Sequence, residues 1–594
     1  MKNLYILSLL FCVTIVFGQS KLKKADQLFK TFAYADAAKM YEEHLKEVKN
    51  PSTQTVKNVA DSYYFNDDNR NALKWYQKLY EIQGQNMSDI YFLRFIQSMK
   101  GVTDYEMADK LTKEYLNKKE DKREIQRYLN QKKQLDSMAN KKPLYTLKNL
   151  DINSTKSDFG VAFYGEKVVF SSSRDTTKFN EKLYSWNNQP FLDLYVAERN
   201  MVDGSLFNES VFLKEAMTKY HEATATFSTD LKTVYFTANI IKKKSLVIDD
   251  SRTNNFQIIR ATIVNDKLTK SESLFFNSPK YSVGHPAISE DGRLLFFASD
   301  MPGGYGQTDL YVVQIAEDGT MGSPQNLGPT INTIGNEFFP FYRNGVLYFS
   351  SDGHYGLGDL DVYESKNLGA LKFAEPQNLG SPINSNKDDF AYVLDEKETF
   401  GYISSNRALG KGSDDIYYFV KSKPECNQLV SGKVINAKSK LAIEQAFVQV
   451  YDVFDDFITE TSTDADGNYI VKIPCGKVIK IKVSKEAHSS EQKQMELSSV
   501  DGVETKDVNF ELSKYEDLIV KEDGIEKVSV NPIFFDYDKA TITKASEIEL
   551  DKVVFVMEKF PLVKIKIESH TDSRGSDAYN MKLSDARAKS TQAY

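Results

Sequence analysis

Cysteine is scarce in this chain: 594 residues contain three. That is too few for a disulfide scaffold or a cysteine-rich zinc module. Excess positive charge is also missing. Lys and Arg number 76 against 83 Asp and Glu, a formal charge of −7, which argues against a protein whose main work is wrapping nucleic acid. Past the N-terminus, no stretch approaches the ~20 consecutive apolar residues of a spanning helix. Hydrolase signatures are missing as well. There is no Gly-x-Ser-x-Gly elbow, and His221-Glu222 begins a zinc motif that fails at Ala225, where a second His is needed. The six histidines (44, 221, 285, 354, 488 and 570) are scattered along the chain. The expectation is a protein without catalytic residues, metal ligands or cofactor. Aromatics, by contrast, are plentiful: 34 Tyr and 37 Phe mark a chain with cores, since disordered chains are poor in them. The length suggests about three to five domains.

Residues 1–18, MKNLYILSLLFCVTIVFG, read as a cleaved secretory signal. Lys2 supplies the positive start and Leu4 to Phe17 the apolar run. Val16 and Gly18 fit the −3 and −1 sites of a signal peptidase. Lipid attachment at Cys12 ranks second, because Phe11 precedes it where a lipobox wants a small residue. In the exported chain Cys426 and Cys475 remain, and a disulfide between them or two buried free thiols both satisfy the sequence.

Residues 19–140 carry one proline, Pro51, and apolar positions at three- and four-residue spacing, which predicts helices. A longer period is present too. Ala37 with Tyr41, Ala72 with Tyr76, and Met107 with Leu111 recur every 35 residues. A small residue four positions before a large one lets paired helices approach and then fills the space between them. A period near 34 marks helix-turn-helix solenoids. The segments FAYADAAKMYEEHLK and DDNRNALKWYQKLYE resemble tetratricopeptide repeats, and DYEMADKLTKEYL departs from the pattern at Met107.

From 144 to 421 the pattern changes to short aromatic and β-branched runs separated by turn signals. One strand recurs as VVFSSS, VYFTAN, LFFASD, LYFSSD and GYISSN. A second element recurs as Gly304-x-Gly306-x-x-Asp309, Gly356-x-Gly358-x-x-Asp361 and Gly410-x-Gly412-x-x-Asp415, and a third as Asn326-to-Asn332 and Asn378-to-Asn384, with spacings of 52 to 54 residues. Such repeats predict radial blades, and they resemble TolB-like, WD-type β-propeller units. Five copies are clear; a sixth, divergent or split between the two ends of the block, stays open. Insertions at 175–192 and 240–255 read as loops on one face. A strand, not a helix, follows each Gly-x-Gly, so the glycines are expected to form turns whose backbone N–H groups bind the Asp, rather than a phosphate loop.

Residues 427–513 alternate with period two in Phe447–Tyr451 and Val478–Val483, which predicts a small β-sandwich. The turn Asp464-Ala-Asp-Gly-Asn-Tyr469 resembles that of carboxypeptidase regulatory-like domains. It lacks the position-twelve Glu of a calcium loop, because Cys475 stands there.

Residues 528–594 contain FFDYDKATI, a helical pattern at 544–560 with Leu550, Val553, Val554, Met557 and Phe560 on one face, the expected strand VKIKIES at 563–569, then SHTDSRG and YNMKLSDARA. In this order the motifs resemble the OmpA-type C-terminal domain, a peptidoglycan-binding α/β module. Ser569 stands where that family usually has Gly, and the family domain continues beyond the last motif, so the resemblance implies an incomplete copy ending at Tyr594. It assigns Asp572 and Arg587 to the pair that grips diaminopimelate in the peptide stem, with Thr571 and Asn580 supporting. A carboxylate beside a guanidinium matches a zwitterionic ligand end.

The fold class expected is therefore multidomain: helical repeat solenoid, β-propeller, β-sandwich and incomplete OmpA-like module. The domain order resembles envelope proteins linked with type IX secretion and gliding. The resemblance implies a non-enzymatic periplasmic scaffold at the outer membrane, with peptidoglycan and envelope proteins as partners and no nucleic acid. Two alternatives stand beside it: an envelope hydrolase or peptidase with a propeller cap, and a propeller-based sugar or peptide sensor.

Overall fold

A computed structural model describes residues 21–139, 142–174, 183–214, 218–265, 267–422, 426–572 and 574–594. The expected signal at 1–18 and part of the first insertion lie outside these residues. The chain divides into two units, residues 1–423 and 424–594. Among the described residues, no helix is long and apolar enough to cross a membrane.

The first unit opens with seven helices: α1 (residues 21–30), α2 (Tyr34–Leu45), α3 (Thr53–Tyr64), α4 (Asn69–Gln83), α5 (Asp89–Gly101), α6 (Tyr105–Lys119) and α7 (Lys122–Ala139). Three successive hairpins share one turn. Phe32, Asp67 and Thr103 adopt positive φ, and in each turn the next residue's N–H donates back five positions, Ala33 to Leu28, Asp68 to Tyr63 and Asp104 to Met99. Asp68 and Asp104 cap α4 and α6 through their side chains. Tyrosines on the second helices bond acids on the first: Tyr41 to Asp26 and Tyr76 to Asp61, both at 2.7 Å. The first two copies bury Ala37, Tyr41, Ala72 and Tyr76 completely. The third differs from expectation. Met107 is 40% exposed and Ala108 takes the buried small position, because one extra residue lies between the second and third hairpins, before α5.

Next come five four-stranded antiparallel sheets. Their innermost strands are Asp158–Tyr164, Glu222–Phe227, Val283–Ile288, Glu337–Arg343 and Asp389–Leu394. Each packs on the next and the last packs on the first, so the ring closes at five blades. Among the described residues no sixth sheet stands in the ring. The fifth blade is the divided one: Tyr145–Asn149, from the start of the block, forms its outer strand beside Asp415–Lys421. The two ends are thus hydrogen-bonded into one sheet and that edge is not left open.

A bulge interrupts every innermost strand, with Gly160, Thr224, His285, Phe339 or Ala391 at positive φ. Neighbouring blades stabilise three of these bulges: the N–H groups of Gly160, Thr224 and His285 donate to the hydroxyls of Ser404, Ser171 and Thr237. Phe159 of the first blade meets Phe339 of the fourth and Phe390 of the fifth, and His285 packs at a tilt against Phe339. Because the first and fourth blades are not adjacent, these rings fill the axis.

The helices rest on one face of the ring. Asn69 donates to Asp359 at 2.7 Å, Tyr355 to Asp109 at 2.7 Å, and Asn386 to the Gly101 carbonyl at 2.9 Å. The described part of the first insertion reaches the same helices: Trp186 donates to the Phe65 carbonyl at 2.9 Å and packs against Phe32 and Tyr34.

In the second unit, two sheets enclose a core of Val430, Val448, Val471, Ile481, Phe510 and their neighbours. A disulfide joins Cys426 to Cys475, with Cα atoms 5.4 Å apart. It ties the start of strand Asn427–Asn436 to the end of its partner, Asn468–Pro474. Asp464 accepts the N–H groups of Asp466 and Asn468, which makes its motif a hairpin turn.

Candidate functional site

The acid-bearing glycine motifs of the ring turn inward. Asp309 accepts from the N–H groups of Tyr305 and Gly306, Asp361 from Leu357 and Gly358, and Asp415 from Lys411 and Gly412. All three aspartates are about 1% exposed. The glycines are required by close approach. A Cβ on Gly306, Gly358 or Gly412 would lie 2.2, 2.4 or 1.8 Å from the carbonyl oxygen of Thr333, Lys387 or Lys156. The asparagines complete each corner: Asn332 binds both backbone groups of Leu310, and Asn384 those of Val362. These aspartates have no free face for a ligand.

The buried histidines are equally enclosed. Burial pushes His221, His285 and His354 down to about 4, so they are neutral near pH 7. Cys426, Cys475 and Asp501 come close enough to suggest metal ligands. The two sulfurs are bonded to each other, however, and Asp501 accepts the Asn427 N–H, so no donor set remains.

The C-terminal segment is built differently. Its first helix, α8 (Lys544–Lys559), starts at Thr543, whose hydroxyl accepts the Ser546 N–H. Ser546 in turn donates to the Phe534 carbonyl at 2.8 Å. Asn531 binds Glu549 through its backbone and side chain, which fastens the preceding loop to the helix. The expected apolar face is not the buried one. Leu550 and Val556 are buried, while Val554, Met557 and Phe560 are 37–39% exposed. Val556 and Phe555 pack on Tyr515 and Leu518 instead.

Residues 563–569, expected as a strand, have no ladder partner among the described residues and form none. Their alternation persists only as half-burial of Ile565, Ile567 and Ser569. An extended segment without a neighbour gains no cross-strand hydrogen bonds or side-chain pairs.

The four expected ligand residues lie around the second helix, α9 (Asp577–Ala593), capped by Ser576. Asp572 is exposed, and its carboxylate accepts the Arg574 N–H at 3.1 Å. Gly575 turns the chain at φ +103°, where a Cβ would be strained and 3.3 Å from the Asn580 amide oxygen. Asn580 donates to the Asp572 carbonyl at 3.2 Å, which fixes the turn against the helix. Thr571 is half-buried beside it. Arg587 lies two turns beyond Asn580 on the same face, about 10 Å along the axis. Its guanidinium donates to the carbonyls of Lys539 at 2.9 Å and Asp536 at 3.3 Å and lies over the Phe535 ring. Asp572 and Arg587 form no ion pair with each other. The structure therefore brings Asp572 and Asn580 together and holds Arg587 separately, leaving two opposite charges unneutralised by one another.

The contribution of FFDYDK to this arrangement went unread in the sequence. Phe535 and the carbonyls of Asp536 and Lys539 position Arg587, and Asp538 accepts from Tyr579. Its place at the head of the motif series was the available signal.

A model of the OmpA family matches residues 534–594. Over 61 residues the chain is 44% identical to outer membrane protein A of Bordetella avium, covering 10% of this chain and 31% of that protein. Over 58 residues it is 38% identical to outer membrane porin F of Pseudomonas aeruginosa, covering 10% and 17%. Over 62 residues it is 39% identical to a peptidoglycan-associated lipoprotein of Rhizobium meliloti, covering 10% and 35%. The chain thus spans about a third or less of each of these relatives. Among solved structures, an endo-arabinase from Bacteroides thetaiotaomicron covers 46% of this chain and 96% of its own, at 12% identity and a TM-score of 0.31; a likeness this low carries no argument.

Proposed function

We propose that this protein is a non-enzymatic periplasmic scaffold, exported by a cleaved signal, that fastens an outer-membrane complex to peptidoglycan. In this reading the C-terminal segment grips the diaminopimelate residue of a stem peptide. Asp572 takes the ammonium and Arg587 the carboxylate, while Thr571 and Asn580 shape the turn. The carrying observation is that Asp572, just before α9, and Arg587, on α9, make no pair with each other. Relatives of this segment include a protein named for its association with peptidoglycan, and the motif order across residues 534–594 supports the same assignment.

The tetratricopeptide-like hairpins and the five-bladed ring dock partner proteins in this reading, with type IX secretion or gliding as the setting. Burial of the ring's repeated aspartates against the backbone of their own turns favours a structural rather than a catalytic part for them. The test is a pulldown on purified peptidoglycan with free meso-diaminopimelate as competitor. Release by the free amino acid at millimolar concentration is expected, and retention of the protein in its presence overturns the ligand assignment.

A further inference from the structure

The strands of each blade alternate in direction, so two kinds of connection emerge at the same end: that between the second and third strands, and that into the next blade. The helices sit at this end. Asp359 belongs to the second-to-third connection of the fourth blade and Asn386 to the connection into the fifth. Hydrogen bonds from the helices reach the first and fourth blades and the connections into the fourth and fifth. Among the described residues none reaches the three loops around the second blade at this end, residues 218–221, 240–255 and 278–282.

These three loops are bound to one another. The Asn239 side chain accepts the His221 N–H at 2.8 Å and donates to Asn254 at 2.6 Å. Asn255 donates to the Pro279 carbonyl at 2.8 Å and accepts from the Ser282 hydroxyl at 3.0 Å. Together the loops carry six cations, Lys219, Lys242, Lys243, Lys244, Arg252 and Lys280, against two acids, Asp249 and Asp250. All six cations are exposed, and among the described residues none makes an ion pair. The Asp249 carboxylate is taken by the N–H groups of Ser251 and Thr253, both at 2.8 Å. Asp300, beside them on the third blade, accepts the Ser282 N–H at 2.6 Å.

Three of the cations stand on a hairpin in the second insertion, where Ile241–Lys242 pairs with Ser245–Leu246. Its two turn residues, Lys243 and Lys244, adopt φ of +49° and +65°. Turns of this kind favour Asn-Gly, and a side chain such as lysine's is sterically disfavoured there. Positive charge is kept where the local conformation favours other residues. Apolar surface is scarce by comparison: in these loops the exposed large hydrophobic residue is Ile248, at the base of the hairpin.

We propose that this sector of the ring docks an acidic, extended segment of a partner protein, its carboxylates lying along Lys242, Lys243 and Lys244 and reaching Lys219, Arg252 and Lys280. Five of the six cations are lysine. A lysine ammonium on its flexible stem pairs with carboxylates without a fixed geometry, whereas phosphate recognition favours the planar fork of arginine. A bilayer anchor would carry apolar side chains at the tip of the hairpin, and lysines stand there instead. Each exposed pair is weak, so affinity comes from several acting together and falls as salt is added.

This site rests on the docking part of the reading above and gives its partner a chemistry. The two fail separately, since an envelope pulldown reports docking at any surface while a peptide titration compared across surface variants reports this sector alone. The test is fluorescence polarisation of the intact chain with a labelled peptide of alternating Glu and Gly. The same peptide with Gln for Glu, phosphatidylglycerol vesicles and duplex DNA serve as parallel ligands. The Glu peptide is expected to bind at least tenfold tighter than the Gln peptide, and less tightly as salt is added. A variant combining Lys242→Ser, Lys243→Asn and Lys244→Gly removes the charge while supplying the residues the turn favours. It should lose at least tenfold in Glu-peptide binding with an unfolding midpoint no lower than the parent's. Lys110→Gln, Lys113→Gln and Lys133→Gln together remove as many exposed lysines from the helices and should leave binding within twofold. Equal binding of the Glu and Gln peptides, parent-like binding by the folded hairpin variant, an equal loss in the helix variant, or tighter binding of the vesicles or DNA than of the Glu peptide overturns the proposal.

Discussion

The ring and the C-terminal segment both carry aspartates in glycine-containing turns, yet they use them in opposite ways. Asp309, Asp361 and Asp415 are buried and bound to the backbone of their own turns. Asp572 is exposed and accepts a single N–H from its own turn. In the ring, the motif recurs at equivalent positions: Ser299, Ser351 and Ser405 face Asp309, Asp361 and Asp415 in the same register. A residue copied once per blade is serving the blade. Asp572 occurs once, opposite a single arginine fixed by other bonds. Residue type and local glycine content do not distinguish the two cases; whether the carboxylate is buried against its own turn does.

Substitutions that remove completed bonds from the ring should have the largest effect on stability. Asp389 is fully buried; it binds Arg407 and accepts the Ser385 N–H. Asp389→Ala leaves the guanidinium without its partner and should cost about 3–5 kcal/mol, read from the urea midpoint. Asp361→Ala strands the N–H groups of Leu357 and Gly358 and should cost about 1–3 kcal/mol in the same assay.

A smaller effect is expected with pH. Burial pushes Glu337 up to about 8, well above its ordinary carboxyl value of 4.5. The folded ring holds a proton that the unfolded chain releases, so this contribution is present below about 4.5 and is lost as pH rises through about 8. Between pH 5 and 8 the parent should lose stability relative to Glu337→Gln, whose amide is neutral throughout. The smallest effect belongs to Asp572→Ala, which should shift the midpoint by less than about 0.5 kcal/mol because it removes an exposed side chain.

Much of the first unit was legible because repetition makes its period visible. Where a copy changes length, the reading slipped. One extra residue stands between the second and third hairpins, before α5, which hid Ala108 behind Met107. The ring's closure was hidden for a similar reason. Asn149-Leu150-Asp151-Ile152-Asn153 is a third copy of the asparagine motif, two residues shorter than the others. Asn153 binds both backbone groups of Ile416, as Asn332 and Asn384 bind those of Leu310 and Val362, and Asn149 binds Asp415, as Asn326 binds Asp309. Recognising that shortened copy would have placed the closing strand and fixed five blades. In the C-terminal segment the helices were legible from their caps and periodicity. The strand at 563–569 was not, since period-two alternation requires a neighbour before it becomes a strand. The buried side of α8 was missed because Tyr515 and Leu518, which cover it, lie before the motif series.

The most direct test sets the two kinds of aspartate side by side: co-sedimentation with purified peptidoglycan, and the unfolding midpoint, of the parent, Asp572→Ala, Arg587→Ala and Asp361→Ala. The account predicts that Asp572→Ala and Arg587→Ala lose at least tenfold in binding with unchanged midpoints, while Asp361→Ala keeps its binding and loses stability. Parent-like binding by both Asp572→Ala and Arg587→Ala would contradict it.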